Sequence, residues 1–108
     1  MGLKVANWNI EELSGYKPIT TSYTDFSIAD AFGKEAIIDT KNRIFNNFKN
    51  DYKCLTELTM ALNWKIFEHY QTNRPLAELY DSLWKEMDRY CMKHFDKEAL
   101  EYYIRTTD

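Results

Sequence analysis

Turn-forming residues are scarce in this chain. Three glycines and two prolines among 108 residues cannot punctuate the short, evenly spaced strands of an all-β fold. Three scattered glycines also build neither a dinucleotide-binding turn nor a phosphate-cradling loop. No apolar run approaches the roughly 18 residues of a membrane-spanning helix. The N-terminal MGLKVANWNIEEL lacks the unbroken apolar stretch of a signal peptide. Cysteine is rare too: Cys54 and Cys91, both inside predicted helices, read as reduced, packed thiols rather than as a disulfide. Net charge is small. A formal −3, with acidic and basic residues interleaved, provides no cationic face for nucleic acid or anionic lipid. It is also too weak to mark a mimic of DNA. What remains is one helical domain, with a core that is marginal at this length.

The helical patterns are strong, and the strongest organiser is Asp51 to Thr72. Placed at about 100° per residue, Leu55, Leu58, Leu62, Ile66 and His69 fall on one stripe. Met60, Trp64 and Phe67 fall on another, roughly opposite. A surface helix needs one apolar stripe, so two imply either a helix surrounded by others or a face kept for a partner. Asp51 is suited to the N-cap, and Asn73-Arg74-Pro75 supplies the stop. Pro75 then opens a helix to His94 whose Leu76, Leu79, Tyr80, Leu83, Trp84, Met87, Tyr90 and Cys91 share a face. Lys34 to Lys49 forms another helix, with Ile37, Lys41, Ile44 and Phe48 on one stripe. Asp96 caps a short final helix, 97–104, before a polar end at Arg105–Asp108.

The N-terminal quarter is less patterned. Asp25 to Gly33 predicts a brief helix capped at Asp25 or Ser27 and ended by glycine. Ser14–Pro18 is a turn signal, and Ile19 to Tyr23, rich in β-branched residues, reads as extended. Residues 1–24 are therefore expected to form an arm or a two-stranded ribbon, anchored by Trp8 and Tyr16.

Candidate chemistry is thin. Cys54, His69, Cys91 and His94 are the residues from which a zinc site could be drawn, Cys91 and His94 lying three apart. All four sit in or beside stripes that the core requires, and structural zinc sites favour ligands from short loops. A di-iron site lacks its Glu-x-x-His pairs, since Glu68 and His69 are adjacent. Cys54–His69 and Cys91–His94 are the thinkable nucleophile pairs, without an orienting third group. Asp25, Asp30, Glu35 and Asp39 lie near helix ends, where they serve as caps or hold a cation. Lys41, Arg43, Lys49 and Lys53 make a modest local patch. The expectation is no catalytic residue, no metal and no cofactor, with a Cys91/His94 module or weak nucleic-acid binding as alternatives.

Aromatic content is the compositional oddity: eight tyrosines, six phenylalanines and three tryptophans. Aromatic side chains bury large areas and are enriched at interfaces. Met60, Trp64, Phe67, Tyr102 and Tyr103 are accordingly the candidate interface residues, facing either a partner protein or the N-terminal arm.

Several segments carry a resemblance: Gly15-Tyr-Lys-Pro-Ile-Thr-Thr21, Asp25-Phe-Ser-Ile-Ala-Asp-Ala-Phe-Gly33, Leu55-Thr-Glu-Leu58 with Leu62-Asn-Trp-Lys-Ile66, and Arg105-Thr-Thr-Asp108. Through them the chain resembles, over almost its full length, a family of small uncharacterised proteins of bacterial phages and integrated mobile elements. The resemblance implies an intact accessory protein of the bacterial cytoplasm and assigns no activity to any position. The combined expectation is an all-α bundle with three main helices and short flanking ones. It would act without catalysis by protein–protein contact, a homodimer being one form of that contact.

Overall fold

The computed structural model describes residues 17–107, with side chains from Ser22 onward. Five helices follow in order: α1 (Lys17–Asp30), α2 (Lys34–Phe48), α3 (Tyr52–His69), α4 (Arg74–His94) and α5 (Lys97–Thr107). No strand occurs among the described residues. None of the helices is long and apolar enough to cross a membrane.

Helix α3 lies at the centre and packs against all four others. Its unbroken run from Leu55 to Asn63 is buried, followed by Lys65 and Ile66. The double stripe is therefore the mark of a surrounded helix along most of its length. Its start is fixed by Asp51, whose carboxylate accepts from the backbone N–H groups of Lys53 and Cys54 at 3.1 and 3.2 Å. These bonds, led by the one from Cys54, hold the Asp51 carboxyl below its usual pKa. Asn73 caps α4 in the same manner, its side chain accepting from Leu76 N at 3.3 Å. Pro75 sits in the first turn, where no N–H is required. The core joins Phe26 and Ala29 of α1, Ile37 and Ile44 of α2, the Leu55/Leu58/Leu62/Ile66 stripe, Tyr80, Leu83, Met87 and Cys91 of α4, and Tyr103 of α5.

Three expectations are corrected. Ile19–Tyr23 is helical, part of a continuous α1, so Asp25 and Ser27 lie inside the helix and cap nothing. Strand propensity is a weak preference. Here it yields to packing: Ser22, Phe26 and Ala29, at helical spacing, are buried. Second, α3 ends at His69, with 70–72 in a turn. Third, the C-terminal polar segment is mostly helix, since α5 runs to Thr107. Its threonines are tolerated because a hydroxyl can return to the carbonyl one turn back. Thr107 donates to Tyr103 O at 2.7 Å, as Thr40, Thr56 and Thr59 do to Ala36, Tyr52 and Leu55 at 2.7–2.9 Å. The predicted glycine stop at Gly33 is present, with φ at +104°. The expectations for residues 1–16, Trp8 and Tyr16 among them, lie outside the described residues.

Removal of the α3 cap should register in the global stability, because every other helix leans on α3. Asp51→Ala is expected to lower the unfolding free energy by about 1 kcal/mol in urea denaturation. An unchanged midpoint would show that the cap is dispensable.

Candidate functional site

The unusual chemistry lies where α1, α3 and the start of α4 meet. Lys65 occupies the flank of α3 between its two apolar stripes, and α1 and Tyr80 cover that flank. The side chain is fully buried. An ammonium ion so placed must be matched by opposite charge. Its Nζ lies 2.8 Å from Asp30 Oδ2 and 3.0 Å from Glu68 Oε2, and donates to Ser27 Oγ at 3.1 Å. The rings of Tyr23 and Tyr80 stand 4.9 and 5.9 Å from it, adding cation–π attraction.

Further hydrogen bonds hold the two carboxylates in place. Tyr80 donates its phenol O–H to Asp30 Oδ1 at 2.5 Å, and Tyr23 donates to Glu68. His69 places Nε2 2.9 Å from Asp30 Oδ2 and stacks flat on Tyr80, 5.8 Å between centroids. Burial works to raise the Asp30 pKa. Hydrogen bonds from Lys65, Tyr80 and His69 outweigh it and hold the carboxyl below its usual range. Burial and the bond to Glu68 push the Tyr23 phenol up to about 12. Burial and Asp30 raise Tyr80 further still. Both phenols are thus fixed as neutral donors near pH 7.

Asp30, Glu68 and His69 offer ligand atoms within 4.8 Å of one another, a spacing suited to a divalent ion. The Lys65 ammonium already bridges the two carboxylates, so the cation of this cluster belongs to the protein. Of Asp25, Asp30, Glu35 and Asp39, only Asp30 belongs to this cluster, where it faces Lys65. Asp25 instead faces Arg43 at 3.5 Å.

The zinc set drawn from sequence does not assemble. Cys54 and His69 lie at opposite ends of α3, about 22 Å apart at the helical rise. Cys91 is buried, with its Sγ 4.0 Å from Thr59 Oγ1. His94 is exposed and packs against Tyr90 at 4.4 Å. Neither thiol is primed for attack: burial, then Asp51, pushes Cys54 up to about 11, and burial pushes Cys91 up to about 12. The local basic patch does not form either. Lys41 is buried with its Nζ on Glu86 at 2.9 Å, and Arg43 faces Asp25, leaving Lys49 and Lys53 exposed.

The candidate interface residues divide. Met60 and Tyr103 are 5% and 2% exposed and belong to the interior, because neighbouring helices close over α3 and Tyr103 turns inward to donate to Asp88 at 2.5 Å. Tyr102, one residue away and about 100° around the helix, is half-buried, edge-on to Tyr52 at 5.5 Å. Trp64 is half-buried, packed on Tyr23 at 6.5 Å and stacked on Phe67 at 5.9 Å. Phe67 is 46% exposed.

Sequence reasoning missed the Lys65 cluster. The available signal was Lys65 itself, at a position where the two stripes of a surrounded helix leave little room for a solvated side. Comparison with family models, curated proteins and solved structures finds no match to this chain.

Two measurements probe the charges of α3. Lys65→Ala leaves two carboxylates facing each other and should cost about 3 kcal/mol. Millimolar zinc should recover part of that loss through Asp30, Glu68 and His69 while leaving the wild type unmoved. A variant as stable as wild type would deny the lysine its structural role. Glu57, 8% exposed, has its pKa raised to about 6 by burial and then by Asp51. A raised carboxyl favours the fold while protonated, and that contribution fades as pH rises through about 6. Glu57→Gln should therefore stabilise by about 1–2 kcal/mol at pH 7 and by little at pH 4, read from melting curves at the two pH values.

Proposed function

We propose that this chain works by protein–protein contact rather than catalysis, as a cytoplasmic accessory protein of a bacterial phage or mobile element. We further propose that self-association into a homodimer is one form of that contact. The observation that carries the reading is the Trp64–Phe67 stack, with Phe67 46% exposed on a helix that is otherwise enclosed over most of its length. A large, rigid aromatic surface of this kind gains contact area on docking at little entropic cost.

The state of the reactive groups supports the same view. Both thiols are raised far above neutral pH, and the fully buried Lys65 amine is held by two carboxylates. Each is engaged in holding the fold. The resemblance to small phage and mobile-element proteins supports an accessory role in that setting.

Light scattering coupled to size exclusion at micromolar concentration tests the self-association. The wild type is expected to show dimer mass and Phe67→Glu monomer mass, with unchanged helical circular dichroism. A wild type that stays monomeric would remove the homodimer. Capture from the native host with wild type and Phe67→Glu in parallel would then read out a different protein partner. Equal capture by both forms would falsify the role of this aromatic pair.

A further inference from the structure

A second surface lies away from the Trp64–Phe67 stack, between α2 and α4. A groove of about 240 Å³ opens there. Its floor is apolar and aromatic: Phe45 and Tyr90 meet edge to face at 4.8 Å, beside Met87. Its rim carries the exposed cations Arg89 and Lys93, with Lys41 buried beneath the single carboxylate of Glu86. Glu86 is committed to Lys41 at 2.9 Å. Among the described residues no carboxylate pairs with Arg89 or Lys93, whereas Lys85, one turn earlier, is paired with Asp81 at 3.0 Å. Arg89 and Lys93 also border a shallower depression with Lys85, Asp88 and Met92. They form a positive ridge on a chain whose net charge is −3.

We propose that this groove docks an acidic segment of a partner protein. One apolar side chain of that segment rests over Phe45, Met87 and Tyr90, and flanking carboxylates pair with Arg89 and Lys93. The size of the groove selects the occupant. At about 240 Å³ it accommodates a single apolar side chain over Phe45, Met87 and Tyr90. Charge selects the sign, because two cations without a carboxylate partner among the described residues, beside an apolar floor, favour carboxylates carried on an apolar anchor. Nucleic acid is the weaker match, since two cations on an acidic chain give little counterion release against a polyphosphate. The inference stands apart from the Trp64–Phe67 surface, and either can fail without the other.

The probe is a short blocked peptide with one leucine flanked by glutamates, compared with its counterpart carrying lysines. Titration into the ¹⁵N-labelled full chain should shift the amides of residues 41–45 and 86–93 with the acidic peptide only. Affinity should fall about tenfold in Arg89→Glu/Lys93→Glu, and again between about 50 and 500 mM NaCl. Should the double variant lose its helical signal, the salt series on the native chain decides. Three results would overturn the proposal: no shift in the groove at millimolar peptide, equal binding of the lysine peptide, or a DNA duplex that shifts the same amides more strongly.

Discussion

Burying one ammonium ion sets the terms for much of this structure. Lys65 lies on the central helix with its side chain fully excluded from water, and an unmatched charge there would cost several kcal/mol. Asp30 from α1 and Glu68 one turn along α3 supply the counter-charge. Tyr80 from α4 and Tyr23 from α1 hold those carboxylates in place. The geometry is exacting, since each oxygen already has its donor. Helix α1 must therefore run past α3 in one register, and the start of α4 must follow. Apolar burial alone would permit sliding along the stripes. The polar cluster does not.

The same cluster bears on reactivity. A lysine between two carboxylates is a weak nucleophile, a phenol donating to a carboxylate is a poor acid, and Asp30, held below its usual range, is a poor base at neutral pH. The ion pairs and hydrogen bonds of this cluster tie α1, α3 and α4 together. What α3 leaves over is exposed aromatic surface near its C-terminal end. Arg89 and Lys93, which have no carboxylate partner among the described residues, lie elsewhere, on α4.

Much of the helical skeleton was legible beforehand. The α3 and α4 starts follow from the Asp51 and Asn73-Arg-Pro signals, and each has a measurable cap. The Gly33 stop follows from the residue that tolerates a positive φ. Ile19–Tyr23 misled because β-branched residues prefer strands only until packing outweighs them, and Phe26 and Ala29 draw that segment into a helix. Thr107 misled for a related reason: a threonine that returns its hydroxyl to the preceding turn loses little by being helical. Met60 and Tyr103, candidates for contact with a partner on their apolar character, are buried in the interior. Periodicity reveals that a position is apolar, and it is silent on which neighbour covers it.

The residue order alone determined where α2, α3 and α4 start and that α3 lies in the middle, because capping chemistry and 3.6-residue periodicity are local properties. It also determined the identity of the charged groups. Only the tertiary structure decided that Lys65, Asp30, Glu68 and Tyr80 would meet, that Lys41 would be buried against Glu86, and that Arg89 and Lys93 would have no carboxylate partner among the described residues. Those outcomes depend on how helices far apart in the chain are rotated and shifted against one another, and pairwise electrostatics acts over ångströms of space rather than along the sequence.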